Sequence, residues 1–360
     1  MILTELEKRG VPPLKTKKEM IEIMQREVYG YLPQVNFSFS VSEPQIVEGR
    51  FACGNVHYTK AEMCIETEKG RHTFPIYRLL HTDGKKRPTI IYTDIQDGLL
   101  STYFPVEELS EYDVDFIRFC YKDITGDDND FTSGIAPLLL PNGQQRDSDC
   151  GKIPMWAWSA MRVVDYALTL PSVDTGNIMV SGHSRLGKTA LYTGMMDERI
   201  KFVFSNMAGC AGDSLAHGKF WSLNAEGSST MKNREEIEDI VKTFPYWFCK
   251  NYRKYAKKNY SDEFDQHYIL ASVCPRYVLI GSASLDNWAD QLSQQLCCVA
   301  AGKAWENEGI CGFTGTDRLI LSGDASLDGH IGFFMIEGKH FMSRHCWSRA
   351  VEFINLHKND

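Results

Sequence analysis

A serine at a glycine-flanked turn, followed much later by an aspartate and then a histidine, each just after an apolar segment, is a set of residue types that performs acyl transfer. Here the serine is Ser184, in Gly182-His183-Ser184-Arg185-Leu186-Gly187-Lys188. The apolar run Asn177-Ile178-Met179-Val180-Ser181 before it and the helix-forming Thr189 to Met196 after it make the turn a nucleophile elbow, which projects the hydroxyl from the carboxyl edge of a sheet. A helix that starts directly behind the serine offers unpaired N–H groups and positive potential, so the N–H of Arg185 is placed to stabilise an oxyanion. Asp286 follows the apolar Tyr277-Val278-Leu279-Ile280, and His340 follows Ile331 to Met335 and the turn Glu337-Gly338-Lys339. The order serine, acid, histidine is that of the α/β-hydrolase triad. Ser184 would attack the acyl carbon, His340 would take and return the proton, and Asp286 would fix the imidazole tautomer and stabilise its charged form. Asp290 rivals Asp286, and His330, which also lies near a strand end, is the main rival to His340, ahead of His183, His267 and His345.

The same turn satisfies a second pattern. Gly182 to Thr189 reads as G-x-x-x-x-G-K-[ST], the phosphate-cradling loop of nucleotide-binding proteins, and the second glycine stands three residues after the serine instead of two. Position argues for the hydrolase, because about half of the expected sheet precedes the turn and no apolar strand ending in Asp stands out as a magnesium partner.

The elements that must position these residues follow from periodicity. Met20, Ile23, Met24 and Val28 recur at helical spacing between Thr16 and Tyr29, predicting an N-terminal helix ahead of everything else. Residues 36–80 alternate apolar with polar, which predicts antiparallel edge strands; Thr89 to Tyr92 and Phe116 to Cys120 read as buried strands. A helix is expected over 154–170, strands at 177–181, 202–204, 277–280 and 331–335, and a last helix near Met342. Strands alternating with helices imply an α/β fold, a mostly parallel central sheet with helices on both faces in a three-layer sandwich. The expected organisation is one domain over 1–360, with the N-terminal helix and edge strands in 1–85 and the catalytic core in 86–360. The loops at 97–104 and 301–328 are candidates to line the cleft.

Composition narrows the function classes. With 43% apolar and 24% charged residues among 360, the chain has ordinary globular composition. Its 39 basic and 47 acidic residues give a formal charge of -8, and the absence of a dense basic run disfavours nucleic acid as a partner. No stretch approaches the roughly 18 apolar residues of a membrane span. Eleven cysteines without a C-x-x-C pair fit a reducing compartment, and with no export signal visible the expected location is cytoplasmic, or secreted or periplasmic if a signal has been removed. Oligomeric state is not legible.

The elbow also resembles a specific group. Gly182 to Lys188 is similar to the G-x-S-R-x-G-K turn of the glucuronoyl esterases, carbohydrate esterase family fifteen, in bacterial form. Asp197-Glu198-Arg199, Gly209-Cys210-Ala211-Gly212, Phe244-Pro245-Tyr246-Trp247-Phe248-Cys249, Asp265-Gln266-His267, Pro275-Arg276 and Asp286-Asn287-Trp288-Ala289-Asp290 agree with it over residues 150–355, and Arg26 to Gly30 echoes the N-terminal helix. The resemblance implies Ser184 as nucleophile, His340 as base and Arg185 as an oxyanion contributor by side chain as well as backbone. The position of the fungal members' triad glutamate corresponds to Met207, so the resemblance leaves the acid to Asp286. The fungal disulfide positions correspond to His183 and Phe341. It also implies Lys188 as a donor and Glu235 as an acceptor to sugar hydroxyls, with Trp288 as a ring contact. Hydrolysis of esters of (4-O-methyl)glucuronic acid is the function so implied, with a small-molecule or oligosaccharide ester as substrate, water resolving the acyl-enzyme, and no metal or organic cofactor. An acetyl-xylan or other carbohydrate esterase is the nearest alternative; a nucleotide-binding protein and an inactive sugar-binding relative are the others.

Overall fold

The structure, a computed structural model, describes residues 2–218, 221–223, 229–231 and 234–360. Its strands are β1 (Phe37–Val41), β2 (Gln45–Phe51), β3 (Val56–Thr67), β4 (Gly70–His81), β5 (Arg87–Asp94), β6 (Asp115–Cys120), β7 (Val173–His183), β8 (Phe202–Asn206), β9 (Trp221–Leu223), β10 (Ser229–Met231), β11 (Tyr277–Ala283), β12 (Ala325–Ser326) and β13 (Ile331–Ile336). The principal helices are α1 (Ile2–Arg9), α2 (Lys17–Met24), α3 (Lys152–Ala167), α4 (Arg185–Met196), α5 (Ile237–Thr243), α6 (Gln291–Asn307) and α7 (Arg344–His357).

Side chains that alternate along a strand must be covered on both faces, and the central strands meet that demand. Along β5, Ile90 and Tyr92 join one apolar cluster and Ile91 the other; along β8, Phe202 and Phe204 are divided from Val203 in the same way. Helices α1, α2, α3, α4 and α6 contribute to the first cluster, whereas α7 carries Trp347, Phe353 and Ile354 into the second. This is the three-layer α/β arrangement. Local chemistry starts the helices: Thr16 and Glu19 form a reciprocal capping box at α2, Pro154 sits in the first turns of α3, and Ser343 accepts from the Cys346 N–H at α7.

The sheet runs β1-β3-β4-β6-β5-β7-β8-β11-β13-β12, with β2 paired to β3. Pairing is parallel across the six strands β6, β5, β7, β8, β11 and β13 and antiparallel at both ends. The expected antiparallel edge over 36–80 is β1 to β4, and β4 joins it to the parallel part through β6. Two expectations need correction. Helix α1 precedes the one expected first, because Ile2, Leu6 and Arg9 turn one face inward although the segment is polar on average. The stretch read as a loop from residue 301 begins inside α6, whose buried small residues Ala300, Ala301 and Gly302 carry little helical periodicity. Among the described residues no helix is long and apolar enough to cross a membrane.

Parallel strands point their carboxyl ends to one edge, where crossovers leave a crevice. In register, His183 stands beside Asn206 and Asn206 beside Gly281, so the segments after β7, β8, β11 and β13 all open on that edge.

Candidate active site

Ser184 lies between β7 and α4 with φ 61° and ψ -126°, a conformation costly for a side-chain-bearing residue and found where the surroundings impose it. Its N–H donates to the Asn206 carbonyl at 2.8 Å, which ties the turn to the end of β8. Gly182 has no room for a Cβ because the Leu186 carbonyl crosses it. A Cβ on Gly187 would come within 2.8 Å of Ser205 Oγ, so this glycine lets α4 lie against β8. The displaced second glycine therefore serves helix packing, and fully buried Leu186 fills the core in its place. Arg185 to Gly187 are already helical. A phosphate-cradling loop needs those residues to form an open loop of inward N–H groups, so the nucleotide-binding reading fails on geometry.

Asp286 and His340, the expected acid and base, meet through the loops that follow β11 and β13. Ser284 N–H donates to the Ile336 carbonyl and Leu285 N–H to that of Gly338, each at 2.9 Å, zipping the two loops together. One residue further, Asp286 Oδ2 lies 2.6 Å from His340 Nδ1. The carboxylate is buried and the imidazole half exposed. Ser184 Oγ and His340 open on the same cavity, and no hydrogen bond joins their side chains, a common state before substrate aligns them.

The rivals are placed elsewhere. Asp290 caps α6, its carboxylate accepting from Ser293 N–H and Oγ and from Arg234. His330 stands at the amino end of β13, stacked 4.3 Å from Tyr277, on the opposite edge of the sheet. His267 is buried with its Nε2 on the Pro12 carbonyl, and His345 lies in the first turn of α7. His183 is not a second base but a wholly buried neighbour, its ring 4.4 Å from that of His340.

All seven residues expected at the site, Ser184, Arg185, Lys188, Glu235, Asp286, Trp288 and His340, line one cavity of about 340 Å³. Lys188 is buried, donates to the Ala208 carbonyl and lies over the Trp247 ring. Burial pushes the Glu235 carboxyl up from the usual range, while Lys188 and a hydrogen bond with Trp288 pull it back. The Glu235 N–H donates to the Trp288 carbonyl at 2.9 Å, and Trp288 keeps 46% of its surface open. A cation, an acceptor and an exposed indole on one wall suit a sugar, whose hydroxyls need paired partners beside an apolar face.

Sequence reasoning missed three further parts of the site. Arg185 is paired with Asp127, and its guanidinium lies 4.7 Å from the Trp247 ring and 5.2 Å from that of Phe244. Phe244 and Trp247 sit in a segment whose pattern is visible in the sequence, but Asp127 stands in the acidic run Gly126-Asp127-Asp128-Asn129-Asp130, which reads like any solvated loop. Among the described residues no group of three or more His, Cys, Asp or Glu side chains is arranged to hold a metal ion.

The family model described as glucuronyl esterase, fungi, matches residues 68–309, about two thirds of the chain. The chain belongs to the glucuronoyl esterase family. A carbohydrate esterase from an unknown prokaryotic organism is 31% identical over 242 residues, covering 65% of this chain and 51% of that protein. The 4-O-methyl-glucuronoyl methylesterase of Hypocrea jecorina is 28% identical over 171 residues, 47% of this chain and 36% of that one. The chain thus spans about half or less of the length of these curated relatives. A promiscuous CE15 esterase from a marine bacterial metagenome superposes with a TM-score of 0.80 at 22% identity, covering 95% of this chain and 91% of the other, which establishes the shared fold. Where the fungal glucuronoyl esterases were expected to place their acid, this family member has Met207, with φ 53°, which lines the same cavity as Asp286.

Proposed function

We propose that the protein hydrolyses esters formed by the carboxyl group of (4-O-methyl)glucuronic acid through an acyl-enzyme on Ser184. The observation that carries this reading is the Asp286–His340 pair opening on the same cavity as the elbow serine, beside Lys188, Glu235 and Trp288, in a member of the glucuronoyl esterase family.

His340 Nε2 takes the Ser184 proton as Oγ bonds to the ester carbon, and the carbonyl π electrons move to the oxygen. The N–H of Arg185, first in α4 and so without a carbonyl one turn behind, stabilises that oxygen together with the guanidinium. Collapse breaks the bond to the leaving alkoxide, which receives the proton from His340. Water then repeats the sequence: its proton goes to His340, its oxygen bonds to the acyl carbon, and Ser184 leaves with the returned proton. Asp286, bonded to Nδ1, fixes the tautomer and offsets the imidazolium charge in both halves. Lys188, Glu235 and Trp288 hold the sugar so that its carboxyl carbon faces Ser184.

Side-by-side rates on benzyl glucuronate and on an acetylated sugar test the substrate. Preference for the glucuronate ester supports the reading, and turnover of the acetyl ester alone replaces it with an esterase acting on the hydroxyl side of the sugar.

We also place the enzyme in the cytosol, because its eleven cysteines are all unpaired. Recovery of the native protein only from an extracytoplasmic fraction would contradict this.

A further inference from the structure

The proposed reaction creates a problem at Arg185. It turns a neutral ester into a carboxylate, ionised at neutral pH because carboxyl pKa values lie near ~4, and it leaves that carboxylate where the oxyanion was held. A free guanidinium grips a carboxylate strongly, with parallel hydrogen bonds and full charge. An arginine that helps the transition state would therefore also retain the product.

Asp127 answers this chemistry. Its Oδ2 pairs with Arg185 Nη1 and accepts from the Tyr121 hydroxyl at 3.0 Å; its Oδ1 accepts from Trp247 Nε1 at 2.7 Å. The Asp127 main-chain carbonyl accepts from Tyr246 OH at 2.7 Å. Behind it, the fully buried Lys152 donates to Thr125 Oγ1 at 2.7 Å and to the Asp130 carbonyl, anchoring the loop to α3. Trp247 serves both partners, donating to the carboxylate through Nε1 and lying against the guanidinium with its ring. An exposed surface ion pair has little of this support.

The pairing leaves Arg185 Nε and Nη2 without a protein acceptor among the described residues, while Nη1 is taken. One developing oxyanion needs only a point donor beside the Arg185 N–H. A full carboxylate meets an arginine whose charge is already matched, with a second carboxylate across it, and like charges in a cleft of low dielectric repel.

We propose that Asp127 is a positioning residue that lets Arg185 stabilise the transient oxyanion while preventing it from holding the glucuronate product. This rests on the reading of the site given above. The test compares inhibition of benzyl glucuronate hydrolysis by glucuronate and by its neutral analogue glucuronamide. In the native enzyme the two inhibition constants are expected within about threefold of each other, since charge brings no advantage. In Asp127→Asn the constant for glucuronate is expected to fall by roughly tenfold and that for glucuronamide to stay. Tyr121→Phe, which removes one hydrogen bond to the carboxylate but not its charge, should keep the native ratio.

Glucuronate at least tenfold tighter than glucuronamide on the native enzyme overturns the inference, even if Asp127→Asn does not fold. So does a glucuronate constant in Asp127→Asn that is unchanged or weaker. A native enzyme that hydrolyses no glucuronate ester overturns the proposed function itself, and this inference with it.

Discussion

The imidazole of His183 lies 4.4 Å, centroid to centroid, from that of His340, tilted by 44°. The Asn206 amide faces His183 Nδ1 at 2.9 Å, and the Asn206 main-chain carbonyl takes the Ser184 N–H. One residue at the end of β8 thus braces both the turn of Ser184 and the ring beneath His340. Tyr103 extends this cluster of tilted rings, 5.5 Å from His183 and 4.7 Å from Phe341. Burial, with His340 beside it, holds the His183 pKa well below the usual histidine range. It stays neutral, an uncharged floor beneath the His340 ring instead of a buried cation. His183→Ala should cut kcat/KM by ~10–100-fold with little change in KM, through a loosened base. His183→Phe, which keeps the ring, should recover most of it. Wild-type kcat in His183→Ala would contradict this.

The assignment of the acid separates cleanly by variant. Asp286→Asn should lower kcat by about 10²–10⁴-fold with a near-native melting temperature, since the acid orients and stabilises the imidazolium. Asp290→Asn should do the reverse, retaining kcat and losing roughly 1–3 kcal/mol in urea unfolding, because its buried carboxylate caps α6 and pairs with Arg234. Exchange of the two phenotypes would reassign the triad.

Glu235 and Trp288 form one wall through a shared hydrogen bond and should act on substrate affinity. Glu235→Gln and Trp288→Ala are each expected to raise KM by about tenfold, close to one hydrogen bond or one ring contact. A fall in kcat at constant KM in steady-state assays would move them from binding to chemistry.

His267 makes a prediction about pH and stability. Burial lowers its pKa from 6.5 to about 4. Below about pH 6.5 the unfolded chain binds a proton that the folded chain refuses, so this contribution is complete above pH 6.5 and declines as pH falls toward 4. Urea midpoints at pH 7 and pH 5 should show a loss that is smaller in His267→Gln, the difference being on the order of 1–2 kcal/mol. An identical loss in both proteins would contradict it.

How much of this was legible in the sequence depends on the range of the physics involved. The elbow and the strands flanking it follow from local patterns, and the order of Ser184, Asp286 and His340 could be read because the fold fixes it. The choice of Asp286 over Asp290 rests on loops zipped by Leu285 and Gly338, a contact between segments 53 residues apart. His330 looked eligible because a strand end in the sequence does not say which edge of the sheet it reaches. Asp127 carried no signal at all: its meaning lies in Arg185, Trp247 and Tyr121, which only the folded chain assembles. Helix α6 was similarly hidden, because a buried helix lined with small residues has no polar face to set a period.

The most direct test of the central claim is treatment of the native protein with a fluorophosphonate, followed by peptide mass mapping. Modification of Ser184 as the sole labelled serine, strongly reduced in His340→Ala and absent in Ser184→Ala, is the expected result. Labelling at a different serine, or at Ser184 with equal speed when His340 is replaced, would contradict an activated Ser184–His340–Asp286 nucleophile.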